Sequence, residues 1–274
     1  MGLALSGGGA RGLAHIGVLK AFEHEGVPVD YLAGASMGGV LAAGYAIGMS
    51  PADLEEEASK LSRLRNVLRL ADPGLPNAGL LRGERLQAYF ESKLGDRMFK
   101  DLKRPLALVA VDLNSREEVI LQEGSVALAL RATTSLPGLF MPLETNGKRL
   151  VDGGVLNNLP VDVVRKMGAD VVIGVDVDPD PEDIASSWQG QYRWMPDGLA
   201  RTFVVLDEAT HLMMRVIQDE RLQRDPPDVI LQPRLPSGIN IFKGYNRTEE
   251  LVSAGERAAQ SMLTEIRALL ERSG

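Results

Sequence analysis

Residues 5–17 read LSGGGARGLAHIG. Gly7, Gly8 and Gly9 stand in a row, with Gly12 just beyond, between a short apolar run and a helical pattern. Consecutive glycines carry a real entropic cost, so the loop must do something that side chains would obstruct. It could cradle a phosphate or point backbone N–H groups at an oxyanion. Residues 2–6 read as a buried first strand. After the loop, Leu13, Ile16, Leu19 and Phe22 fall near helical spacing, and Gly26 ends the run. A strand over 31–35 and a small-residue helix over 37–47 follow. Strand, loop, helix, strand, turn, helix is the pattern of a parallel sheet covered by helices.

Outward from this unit, Ser50-Pro51-Ala52-Asp53 reads as a capping box with proline at the first helical position, opening a helix to about residue 70. Residues 72–79 form a Pro/Gly loop and 84–94 a helix. The run 105–113 is nearly continuous in apolar residues, as a central strand requires. A partner strand over 118–121, a helix over 125–134 broken at Pro137-Gly138, a helix over 161–167 and a buried strand over 171–177 come next. Residues 178–198 read as a loop, 199–222 as helix and 229–231 as strand. Asn246 is expected to cap a long final helix, with Glu249 at its third position. No linker, repeat or low-complexity segment interrupts the chain. The expectation is one α/β domain over residues 1–274, with a less defined helical part from about 199.

The 274 residues are 45% hydrophobic and 24% charged, with a formal net charge of −7. That balance offers no electrostatic footprint for nucleic acid and does not favour anionic membranes. There are no cysteines, which excludes disulfides, thiol catalysis and thiolate metal sites. His15, His24 and His211 have no metal-ligand spacing. No apolar run is long enough to span a membrane. The start, MGLALS, formally fits a myristoylation pattern but reads better as the first strand, and no signal peptide is visible. The expected location is the cytoplasm or a membrane periphery.

Residues 34–38 read GASMG, a G-x-S-x-G pattern. A serine raised on a sharp strand-to-helix turn leaves no room for side chains two residues to either side. Gly34 and Gly38 meet that need around Ser36, and Ala35 and Met37 complete the elbow. The bland alternative is a tight structural βα turn. Gly7, Gly9 and Gly12 also spell G-x-G-x-x-G, but Asp30 precedes the second strand where a dinucleotide site wants an acid ending it, and there is no Walker lysine. An acyl-transfer site needs backbone donors aimed at a developing oxyanion, and the two loops fall at one edge of a parallel sheet. For a base, spacing alone leaves Asp152 of LVDGGVLNNLP beside an ordinary Asx turn.

GGGARG, GASMG and DGG, in this order, resemble the patatin-like phospholipase family. The resemblance runs from residue 2 to about 177 and includes RATTSLPGLFMPL and LVDGGVLNNLP. It implies a three-layer α/β/α fold with a mostly parallel sheet and a Ser–Asp dyad that uses no histidine. Carried over, Ser36 is the nucleophile and Asp152, followed by Gly153 and Gly154, is its base. Gly7, Gly8 and Gly9 align with the oxyanion loop, extended by Ala10, Arg11 and Gly12. The implied substrate is a lipid or other ester, cleaved in two acyl-transfer steps with no metal or cofactor.

Two rivals remain at this level. The order Ser36, Asp152, His211 is that of an α/β-hydrolase triad, and the glycine loop would also serve a non-catalytic nucleotide- or lipid-binding module. Asp176, Asp178, Asp180 and Asp183 lack the glycine and glutamate of a calcium loop. Trp188, Tyr192 and Trp194 suit a lid or membrane-touching loop; the bland alternative is a loop folded into the core or a subunit contact.

Overall fold

Strand β1 (Gly2–Leu5) is paired in parallel along both edges, with β2 (Tyr31–Gly34) and β7 (Val172–Val175). The computed structural model describes residues 1–61, 72–73, 81–178, 197–239 and 243–273. In it β3 (Leu106–Asp112), β2, β1, β7 and β8 (Val229–Leu231) run parallel in that order. Antiparallel strands β4 (Glu117–Leu121) and β6 (Lys148–Asp152) join β3, and β5 (Leu143–Thr145) pairs with β6. The sheet is mixed and mostly parallel.

Side chains alternate across a sheet with period two, and here the two faces differ in size. Leu3, Leu5, Leu32, Leu106, Leu108 and Ile173 point to one face. There they meet α1 (Ala14–His24), α2 (Ser36–Ala46) and α8 (Thr248–Ser273). Ala4, Ala33, Ala107 and Val109 point to the other, where α6 (Val161–Lys166) packs closely. A Cβ on Gly2 would lie 2.0 Å from Val164 Cγ1, so small residues are what let α6 approach. Leu222 of α7 (Asp197–Arg224) packs on this second face too. The result is three layers, α/β/α.

The pairing around β3 brings two chain segments head to head. Leu108 pairs with Gly34 of β2 and Leu121 of β4, while Ala110 pairs with Val119 of β4 and Asp152 of β6. A residue has one partner on each side, so β4 takes one side of β3, and β2 and β6 share the other. β2 runs up that side and ends at Gly34; β6 runs down it and ends at Asp152. Only Val109 separates their β3 partners.

Helix α4 (Glu84–Leu94) and strand β8 fall where the sequence places them, and the Ser50–Asp53 box is made reciprocally. Asp53 N–H donates to Ser50 Oγ at 3.1 Å, and Ser50 N–H donates to Asp53 Oδ2 at 2.9 Å. Helix α3 (Pro51–Leu61) follows, and residues 62–70 of its expected extent lie outside the described residues. Helix α5 spans Val126–Thr133. Three readings are corrected. The segment after the glycine loop begins with a 3-10 turn, Gly9–Leu13, before α1. Asn246 does not cap the last helix: it lies inside a 3-10 turn, Tyr245–Arg247, and α8 starts at Thr248, whose Oγ1 donates to the Tyr245 carbonyl. Strand β5 has no counterpart in the sequence reading: Leu143 and Thr145 are half-buried around an exposed Glu144, and three such residues carry too little apolar pattern.

Candidate active site

Ser36 is the first residue of α2 and has φ +50°. A non-glycine residue in this region costs of order 1–3 kcal/mol and persists only where its surroundings over-determine it. Here they do. A Cβ on Gly34 would lie 2.6 Å from Gly39 N, and one on Gly38 would lie 2.3 Å from the Leu5 carbonyl oxygen. The turn is thus pinned against its own helix and against β1. Ser36 stays partly exposed while Gly34, Ala35 and Gly38 are buried, and the N-terminal end of α2 favours negative charge beside it.

Asp152 closes β6 and is buried. Its Oδ1 accepts the Gly154 N–H at 2.8 Å, the turn expected of Asp-Gly-Gly. Gly153 is forced by the strand junction, since a Cβ there would lie 2.3 Å from the Val109 carbonyl oxygen. Burial pushes the Asp152 carboxyl up to about 6, against the lowering pull of the Gly154 N–H and the Ser36 hydroxyl. Oδ2 is buried and, among the described residues, has no hydrogen bond of normal geometry. Ser36 therefore stands close enough to act on the carboxylate without being aligned to it. Loose contacts of this kind are common in unliganded sites and tighten with substrate.

The glycine loop lies alongside. A Cβ on Gly7 would come 3.0 Å from Ser36 Cβ. The Gly7 N–H, expected among the oxyanion donors, is already used: it donates to Asn158 Oδ1 at 3.1 Å and to the Asn158 carbonyl at 3.2 Å. Among the described residues the N–H groups of Gly8, Gly9 and Ala10 have no such partner. Arg11 is buried, and its charge acts on Asp178. Gly12 faces Met37, whose Cγ would be 2.5 Å from an added Cβ. Asn158, a residue that sequence reasoning missed, also sits 2.8 Å from the Cβ position of Gly154. It bonds the glycine loop and lies beside the Asp-Gly-Gly turn, and nothing in an Asn-Asn pair within a loop announces that.

Among the described residues the groups that act on the Asp152 carboxyl by hydrogen bonding are Gly154 and Ser36, and no histidine is among them. His15 is fully buried, and its Nε2 bonds the Ser6 carbonyl at 2.8 Å. Burial lowers its pKa to about 4, which leaves it neutral near pH 7. His24 is exposed and pairs with Glu25. His211 lies on α7, where its charge acts on Asp178. Trp188, Tyr192 and Trp194 lie outside the described residues, as do Asp180 and Asp183. Asp176 accepts from Gln218 and from the Asp178 N–H. Among the described residues no three His, Cys, Asp or Glu side chains are grouped to hold a metal ion. A groove of about 680 Å³ lined by Phe99, Leu102, Pro105 and Leu106 lies at the opposite, N-terminal end of β3.

Residues 3–165 match the family model described as patatin-like phospholipase. An uncharacterized NTE family protein of Mycobacterium tuberculosis is 38% identical over 177 residues, 64% of this chain and 48% of that protein. Patatin-like phospholipase domain-containing protein 6 of Mus musculus is 36% identical over 190 residues, 68% of this chain and 14% of that protein. The matched span thus covers about half of the mycobacterial relative and far less of the mouse one. In architecture, the crystal structure of VipD from Legionella pneumophila superposes with a TM-score of 0.61 at 15% identity, covering 96% of this chain and 66% of that one.

Proposed function

We propose that this chain, which belongs to the patatin-like phospholipase family, is a serine acyl hydrolase that cleaves fatty acyl esters of phospholipids, lysophospholipids or related lipids. The observation that carries this reading is the meeting of a strained serine at a helix N-terminus, Ser36, with a buried carboxyl, Asp152, whose pKa is pushed up to about 6. A base titrating near the working pH is what proton transfer from a hydroxyl needs.

In the proposed cycle Ser36 Oγ attacks the ester carbonyl carbon while its proton passes to Asp152 Oδ2. The carbonyl oxygen takes the negative charge and is stabilised by N–H donors of the glycine loop, for which Gly8, Gly9 and Ala10 are free, and by the α2 N-terminus. The tetrahedral adduct collapses, the C–O bond to the leaving alcohol breaks, and Asp152 returns its proton to that oxygen. Water then attacks the Ser36 acyl ester with Asp152 again taking the proton. Fatty acid leaves and Ser36 regains its hydrogen. Protons and electron pairs balance with Ser36, Asp152 and water alone.

Hydrolysis of a short p-nitrophenyl ester by wild type, Asp152→Asn and His211→Ala tests the reading. Loss of at least about 10³-fold in Asp152→Asn, with His211→Ala unimpaired, supports the dyad. Collapse in His211→Ala favours a triad. A silent Ser36 toward both ester and fluorophosphonate removes the hydrolase reading.

The same reading includes contact with a lipid surface through α7. Its solvent side exposes Val205, Leu206, Leu212, Met213 and Val216, residues that recur at helical spacing on one face. On its inner side Met214 Cε lies 3.1 Å from the Cβ position of Gly154. One helix thus has the catalytic turn beneath it and an apolar face outward, which suits an enzyme that draws its substrate from a lipid aggregate. No described helix is long and apolar enough to cross a membrane.

A further inference from the structure

The segment RATTSLPG, residues 131–138, has no assigned task in the proposed cycle, yet it touches the backbone of both dyad residues. Thr133 Oγ1 accepts the Ser36 N–H at 3.0 Å and donates to the Val109 carbonyl at 2.5 Å. Two residues on, the Ser135 carbonyl accepts the Asp152 N–H at 3.0 Å. Ser135 is itself gripped: its Oγ donates to the Arg131 carbonyl at 2.7 Å and accepts from Arg131 Nη1. Arg131 Nη2 donates to the carbonyls of Met141, at 2.9 Å, and Arg82, at 2.5 Å. Thr133, Ser135 and Arg131 are all buried.

Each of these bonds fills a need set by the fold. The first N–H groups of a helix have no intrahelical acceptor, and the Ser36 N–H is one of them. Val109 pairs with Ile120 of β4 on one side, and on the other, at the gap between the end of β2 and the end of β6, neither strand supplies it a partner. One hydroxyl in that gap satisfies both. It does so at the point where the Ser36 backbone is held at φ +50°.

We propose that Thr133 is a positioning residue. Its hydroxyl fixes Ser36 in the strained pose and, with the Ser135 carbonyl, sets the distance between nucleophile and base. The proposal rests on the acyl-hydrolase reading for its kinetic consequence but not for its structural one.

Thr133→Val keeps the shape and removes both hydrogen bonds, and Thr133→Ser keeps both and loses a methyl. With a p-nitrophenyl ester, Thr133→Val should lose about 10²-fold in kcat with KM within about twofold, because misplacement of a reacting group weakens catalysis more than binding. Thr133→Ser should stay within about threefold of wild type. Independently of any activity, the Ser36 amide should exchange its hydrogen faster in Thr133→Val than in wild type. A wild-type kcat in folded Thr133→Val overturns the proposal. So does a Thr133→Ser as slow as Thr133→Val, which would make the effect one of packing. Unchanged Ser36 exchange overturns it as well. If Thr133→Val does not fold, Thr133→Cys, similar in volume and a poor donor, takes its place, and a wild-type kcat there is equally fatal. If wild type neither cleaves the ester nor reacts with a fluorophosphonate, the hydrolase reading fails, and the exchange measurement still decides whether Thr133 holds Ser36.

Discussion

At the scale of single residues, two buried titratable groups oppose one another. Asp152 has its pKa raised to about 6 by burial, so the folded chain binds its proton more tightly than the unfolded chain does. Its contribution to stability therefore falls as pH rises from about 4 to about 6 and stays lost above. His15 has its pKa lowered to about 4, chiefly by burial, so the unfolded chain takes that proton first. Its contribution is intact above about 6.5 and is lost as pH falls toward 4. Each shift corresponds to roughly 3 kcal/mol at most. In wild type the two largely cancel between pH 4 and 6. Asp152→Asn keeps an acceptor for the Gly154 N–H and is neutral at all pH. It should melt higher than wild type at pH 7 while being inactive, and its melting temperature should then fall steeply on acidification. Adding His15→Gln, which can still donate to the Ser6 carbonyl, should flatten that fall. Thermal melts of the three proteins across pH 4–7 check this. The kcat/KM of wild type should drop below a pH of about 6, where Asp152 ceases to be a base.

At the scale of elements, α7 is held by polar contacts on its inner side. Gln218 donates to Asp176, and Arg221 donates to Glu118 and Asp162. Its exposed apolar face takes no part in this. Leu212→Asp with Met213→Asp should therefore leave folding and hydrolysis of a soluble ester unchanged. It should abolish co-sedimentation with phosphatidylcholine vesicles, neutral ones because the chain is acidic. Wild type that stays in the supernatant counts against lipid contact by this helix. A change in oligomeric state by sedimentation velocity would assign the face to a second copy. Much at this scale was legible beforehand. β1, β2, β3, β7 and β8 are apolar runs bounded by turn residues, and G-x-S-x-G needs small neighbours for steric reasons alone. What escaped is what depends on tertiary approach. Thr133 at the end of an apolar helix looks like any C-terminal threonine, and Asn158 looks like a turn residue. That β6 would run antiparallel and end against β2 is written in no local pattern.

At the scale of the molecule, the last helix is locked to the first. A Cβ on Gly17 would lie 1.8 Å from the Val252 carbonyl oxygen, and one on Gly255 would lie 1.8 Å from that of Ala14. The two backbones touch at these glycines, and Ala14 follows directly on the 3-10 turn of the glycine loop. Gly255→Ala must push α8 away from α1. Overpacking of this kind costs about 1–3 kcal/mol, a fall of several degrees in melting temperature for a chain of this size. Some of that displacement should reach the loop, so the variant should lose esterase activity at temperatures where it remains folded, which melts and assays on one preparation would show.

The head-to-head meeting of β2 and β6 along one side of β3 has a consequence for how this site can vary. The spacing of the proposed nucleophile and base is counted out in residues of a third strand, Leu108 to Ala110, and a strand advances by about 3.3 Å per residue. The strand register can change only in whole steps of that ruler, each far larger than the tolerance of a proton transfer, so the hydrogen bonds of Thr133 and Ser135 adjust the pair only within one step. An insertion or deletion in β3 between those positions would flip a face as well as move a step. Diversity in such a scaffold must then come from the loops and helices above the junction, while the junction itself behaves as a fixed unit of length.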